Sequence, residues 1–105
     1  MLYPLEKKMS LPLHLIHPFR KGEVIVVDVR SPMEFIHGHV EGALNIPLET
    51  ISQNVKIMQR WKKPILLCST DGRRSQRAWE QLRQKWLDVY DAGSWKVLSE
   101  VLEKA

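Results

Sequence analysis

Two short runs, residues 23–29 (EVIVVDV) and 64–68 (PILLC), are apolar at nearly every position and rich in aliphatic side chains. A strand with one wet face alternates apolar and polar residues, whereas a continuous apolar run is covered on both faces. Two such strands require a sheet with a layer on each side, and helical signals follow both. Ser31-Pro32 supplies an N-cap with proline at the first helical position, predicting a short helix over 32–37 that Gly38 ends. Residues 42–47 (GALNIP) read as another short strand. Ile51, Val55, Met58 and Trp61 then recur at spacings of four and three, a helical stripe closed by Lys62-Lys63-Pro64.

Residues 75–87 place Ala78, Trp79, Leu82 and Trp86 on one helical face, and residues 89–91 read as a last strand. Ala92-Gly93-Ser94 turns the chain into a terminal helix over 95–104, with Val97, Leu98, Val101 and Leu102 on one side. The alternation of strand and helix predicts the α/β class with a mostly parallel sheet. Residues 1–20 are expected to form an N-terminal extension or edge element, an edge strand or a small helix in which Tyr3, Leu11, Leu13 and Phe19 cover one end of the sheet.

A length of 105 residues fits a single domain, 1–105, and 44% hydrophobic residues suffice for one core. One cysteine excludes an intrachain disulfide and suits a reducing cytoplasm. The net charge of +4 favours small anionic ligands, and no nucleic-acid partner is expected. The longest purely aliphatic run, residues 24–27, is far short of the ~20 apolar residues that cross a bilayer, so no membrane partner is expected either. Lys7 and Lys8 precede a stretch broken by Pro12, His14, His17 and Pro18, with no small-x-small cleavage site, which predicts mature cytoplasmic protein rather than a signal peptide. His14, His17, His37 and His39 lack a zinc spacing, so neither metal nor cofactor is expected.

The chemistry concentrates in residues 68–75 (CSTDGRRS), where a cysteine ends a strand and a helix starts just beyond a short polar loop. That edge of an open α/β sheet is where ligands bind. A loop curled around the sulfur would aim its N–H groups and the helix N-terminus at Cys68, lowering its pKa and leaving a thiolate. Ser69, Thr70, Asp71, Gly72, Arg73 and Arg74 are then the substrate-binding residues. Gly72 permits a positive φ, the arginines bind an oxyanion, and Ser75 fits as the helix N-cap. Asp28, Arg30 and His39 read as structural support: the first two fix neighbouring loops by charge-assisted hydrogen bonds, and the imidazole holds backbone after Gly38.

Asp28-Val29-Arg30, Glu34-Phe35, Gly38-His39, Gly42-Ala43 and Asn45-Ile46-Pro47, followed by the Cys68 loop and Ala92-Gly93-Ser94-Trp95, resemble the rhodanese-like sulfurtransferase domains over roughly residues 20–100. The resemblance implies a three-layer fold with a central, mostly parallel five-stranded sheet flanked by helices. It also implies that a Cys68 persulfide carries sulfane sulfur from a small sulfur-containing anion, such as thiosulfate, to a thiol, cyanide or sulfur-carrier protein. One departure stands out. The family's loop reads C-x-x-G-x-R-S, whereas counting from Cys68 gives one residue more, with Arg74 six positions on. The longer form is similar to the C-x5-R loop of phosphatases and arsenate reductases, which remains an alternative, as does a non-enzymatic rhodanese-like protein-binding module.

Overall fold

The computed structural model describes residues 12–104. Four parallel strands, β1 (Ile25–Asp28), β2 (Leu44–Asn45), β3 (Ile65–Ser69) and β4 (Val89–Ser94), lie in the order β2-β1-β3-β4. The sheet thus has four strands among the described residues where five were expected. Tyr3 and Leu11 lie outside the described residues. Of the two alternatives for the N-terminal segment, its described part takes the small helix: a 3₁₀ turn over Leu13–Leu15 leads into α1 (Ile16–Arg20). Leu15 is buried there and Phe19 packs beside it, but Leu13 faces solvent.

Alternation along the two central strands builds two cores. Val27 of β1 and Ile65 and Leu67 of β3 face α3 (Val55–Trp61) and α4 (Arg73–Leu82), where Met58, Ala78, Trp79 and Leu82 cover them. Val26, Leu66 and Cys68 face the other way, against Leu15 and against Leu98 and Leu102 of α5 (Trp95–Lys104). Each fully buried Val or Leu contributes about 1.5–3 kcal/mol, which explains why the two central strands are the most apolar stretches of the chain. Among the described residues, no helix is long and apolar enough to cross a membrane.

Several boundaries differ from the sequence-based expectation, each for a local reason. The helix expected after Leu48 begins as a 3₁₀ segment, Leu48–Asn54, before widening into α3, which ends with Lys62 in a left-handed conformation. Strand β4 runs through Ala92-Gly93-Ser94 rather than turning there. Leu67 pairs with Asp91 but Cys68 with Gly93, so Ala92 is the extra residue of a bulge, and Gly93 takes φ 77°. Helix α4 starts two residues early and ends at Leu82, five residues before the expected stop. Val97 is exposed on the terminal helix, whose buried side is carried by Leu98 and Leu102.

Helix α2 (Pro32–Ile36) follows its sequence signal. Ser31 Oγ accepts the Glu34 N–H at 3.3 Å, and Glu34 Oε1 accepts the Ser31 N–H at 3.0 Å, a reciprocal capping box with proline next in line. This cap fixes Glu34 at the carboxyl edge of the sheet, directly across from the loop that follows β3.

Candidate active-site loop

Strand β3 extends one residue past its expected end, and that residue decides the geometry. Successive side chains on a strand point to opposite faces, so Cys68 and Ser69 diverge. Cys68 is fully buried among Val26, Leu66, Ala92 and Leu98. Ser69, also fully buried, begins the loop.

The loop folds around Ser69. Its Oγ accepts the N–H of Gly72 at 3.1 Å and the N–H of Ser75 at 3.1 Å, and its own proton goes to Ser75 Oγ at 3.1 Å. Ser75 Oγ donates in turn to the Gly72 carbonyl at 3.2 Å. Every proton and amide of this small circuit has a partner, so the hydroxyl fills the position from which an anion would draw the same donors. Gly72 makes the circuit possible with φ 91°, in the left-handed region. Gly72 is also the N-cap of α4, and Ser75 sits inside the first turn rather than capping it, a correction to its expected role.

The expected Cys68 thiolate is therefore reversed on two counts. The loop amides of Gly72 and Ser75 serve Ser69, not the sulfur. Burial pushes the Cys68 thiol up, the negative charges of Asp28 and Asp91 push the same way, and the Arg30 charge opposes them. The apparent extra loop residue also disappears. With Gly72, Arg74 and Ser75 in the register of C-x-x-G-x-R-S, the first position falls on Ser69, so the loop has the family's usual length with serine where the pattern has cysteine.

The two arginines part company. Arg74 forms a bidentate pair with Glu34, Nη1 to Oε1 at 2.7 Å and Nη2 to Oε2 at 3.0 Å, and Nη2 also reaches Thr70 Oγ1 at 3.2 Å. This guanidinium holds the Glu34 carboxyl down at about 2, helped by the Ser31 N–H, and Glu34 in turn raises Arg74. Arg73 is exposed and turns outward, its Nε 3.4 Å from Asp71 Oδ2, while Asp71 Oδ1 accepts the Arg73 N–H at 3.1 Å. Asp71 and Arg73 thus shape the rim, and neither enters the Ser69 circuit.

Beneath the loop, Asp28 and Arg30 are buried and joined by Arg30 Nε and Nη2, with Nη2 to Oδ2 at 2.8 Å. Arg30 Nη2 also donates to the Gly38 carbonyl at 2.6 Å, and its guanidinium lies 4.6 Å from the Trp95 ring centre. Asn45 Nδ2 ties the Asp28 and Arg30 carbonyls together at 3.0 and 2.9 Å. His39 stacks on Phe35 at 3.7 Å and its Nδ1 meets the Phe35 carbonyl at 2.6 Å. Sequence reasoning missed Ser69 as the focus and Glu34 as the partner of Arg74. Both had signals: counting back three from Gly72 gives Ser69, and the Ser31-x-x-Glu34 spacing marks a capping box that anchors the glutamate.

The family model for the rhodanese-like domain matches residues 12–99. The Bacillus subtilis protein YqhL, itself uncharacterized, is 44% identical over 66 residues, which cover 63% of this chain and 50% of that protein, so the chain spans about half the length of this relative. A rhodanese-related protein from Thermoplasma volcanium superposes with a TM-score of 0.69 at 29% identity, covering 83% of this chain and 84% of that one. A human single-domain sulfurtransferase has the same fold, with a TM-score of 0.67 at 20% identity over 89% of this chain and 96% of that one.

Proposed function

The chain belongs to the rhodanese-like domain family, and we propose that within it this domain is a binding module that does not carry sulfur on its loop. The observation that supports this is the hydroxyl of Ser69 at the focus of the loop amides. Sulfur transfer starts with a thiolate attacking a sulfane sulfur, and the loop's task is to hold the resulting anion. A serine without an adjacent base supplies no such nucleophile, and among the described residues the hydrogen bonds of Ser69 Oγ run to Gly72 and Ser75.

Sulfur transfer through a Cys68 persulfide, from thiosulfate or a related donor to a thiol, cyanide or sulfur-carrier protein, is the rival. It would require Cys68 to leave an apolar cluster and cross to the other face of β3. Phosphatase or arsenate reductase chemistry on a C-x5-R loop would need the same reorientation, together with release of Arg74 from Glu34.

Intact mass after incubation with thiosulfate decides among these. The parent protein should stay unchanged, while Ser69→Cys should gain one sulfur, about 32 Da, and keep gaining it when Cys68 is also changed to Ser. A parent adduct that vanishes in Cys68→Ser would restore the sulfurtransferase assignment.

A further inference from the structure

At the end of the sheet opposite the loop, Trp86 is 94% exposed. The helical stripe placed it on the buried face of α4, but the helix stops at Leu82, Leu87 takes up the core contact, and the indole is left in water. Its backbone has φ 59°, in the left-handed region. Lys62, with φ 51°, is the other non-glycine residue there among the described residues, and both line one groove. Strained backbone of this kind persists where the surroundings impose it and clusters at functional surfaces.

The groove, about 350 Å³, has an apolar floor of Met58, Pro64 and Leu87, with Trp86 as one wall and Lys62 and Lys63 at the rim. The wall is braced: Gln59 Nε2 donates to the Lys85 carbonyl at 2.7 Å, tying α3 to the turn that carries the indole. Lys62 and Lys63 set two positive charges on the rim against the one lining carboxylate, Asp88, and Lys63 Nζ also donates to the Gly22 carbonyl at 3.0 Å.

We propose that this groove binds an extended polypeptide segment of a partner, one apolar side chain seated against Trp86 and flanking carboxylates paired with Lys62 and Lys63. Charge complementarity selects the acidic flanks, and the apolar floor selects a side chain rather than a phosphate chain, which would need a track of cations without such a floor. The proposal gives the binding role above a place and rests on it only to that extent, because the groove shares no residue with the Ser69 loop.

The test is fluorescence anisotropy with labelled nonapeptides that carry a central Leu, Phe or Trp among Asp and Glu. The parent should bind them saturably, and a set with Lys in place of the acids should not bind. Trp86→Ala and the Lys62→Ala/Lys63→Ala double variant should each weaken binding roughly tenfold or more, as loss of a central anchor does, with circular dichroism confirming that both remain folded. Absence of saturable binding to any acidic peptide would overturn the proposal, as would binding that both variants leave unchanged. Tighter binding of a single-stranded oligonucleotide or of phosphatidylserine vesicles through Trp86 would overturn it too. Sulfur loading is read separately by mass, so failure of the groove and failure of the loop assignment are distinguishable.

Discussion

The two ends of the sheet solve opposite problems. At the carboxyl end, Ser69, Ser75, Asp28 and Arg30 are buried polar groups whose partners all come from the protein itself. At the amino end, Trp86 is a large apolar group left in water on a strained backbone. A buried, closed polar circuit stabilises the fold and offers little to a ligand, whereas an exposed indole beside cations contributes little to the fold. The proposed partner surface is therefore not the one at which the fold family's motif concentrates.

The largest effect should come from opening the closed circuit. Ser69→Ala leaves the Gly72 and Ser75 N–H groups without their acceptor, and each buried unsatisfied group costs about 1–3 kcal/mol, so a loss of roughly 2–6 kcal/mol is expected in denaturant unfolding. Cys68→Ala, next door on the other face, removes one sulfur from an apolar cluster and should cost less, on the order of 1 kcal/mol. A larger loss at Cys68 than at Ser69 would break the contrast, because it would mean that the sulfur rather than the hydroxyl organises this end.

Much of the fold could be read from the chain because its strongest signals are local. The apolar runs that become β1 and β3, the Ser31-Pro32 start of α2 and the terminal helix each follow from adjacent residues. The site was less legible. Cys68 is the more reactive residue type and draws attention from the register counted back from Gly72, which points to Ser69; the extent of β3 then shows which side chain meets the amides. The end of α4 was hidden for a different reason. No glycine or proline stands between Leu82 and Asp88, and the apolar stripe continues through Trp86 as though the helix did. The pairing of Glu34 with Arg74 joins residues 40 positions apart, beyond the reach of any local pattern.

A smaller effect follows from that pairing. The Glu34 carboxyl lies at about 2 in the folded protein against an ordinary 4.5, so its contribution is fully present above 4.5 and is lost as pH falls toward 2. Both side chains are partly exposed, which limits the effect to about 1 kcal/mol or less. Denaturation midpoints measured between these pH values should fall in the parent and fall less steeply in Glu34→Gln, which keeps a side chain able to complete the capping box. Equal slopes would show that the pair does not hold the loop to α2.

The smallest effect should have the opposite sign and should come from the other end. Trp86 and Lys62 occupy left-handed backbone that glycine adopts without a Cβ clash. Replacing either by Gly relieves that strain, offset in part by the greater freedom glycine gives the unfolded chain, so a net gain of about 0.5 kcal/mol is expected at each. Because the indole is exposed, removing it should forfeit almost no burial. If Trp86→Gly instead lost more than about 1 kcal/mol, the indole would be supporting the fold, and the contrast between a self-satisfied end and a partner-seeking end would collapse. A gain, accompanied by loss of acidic-peptide binding, would mean that this tryptophan is kept at the expense of stability, as expected where a surface serves recognition.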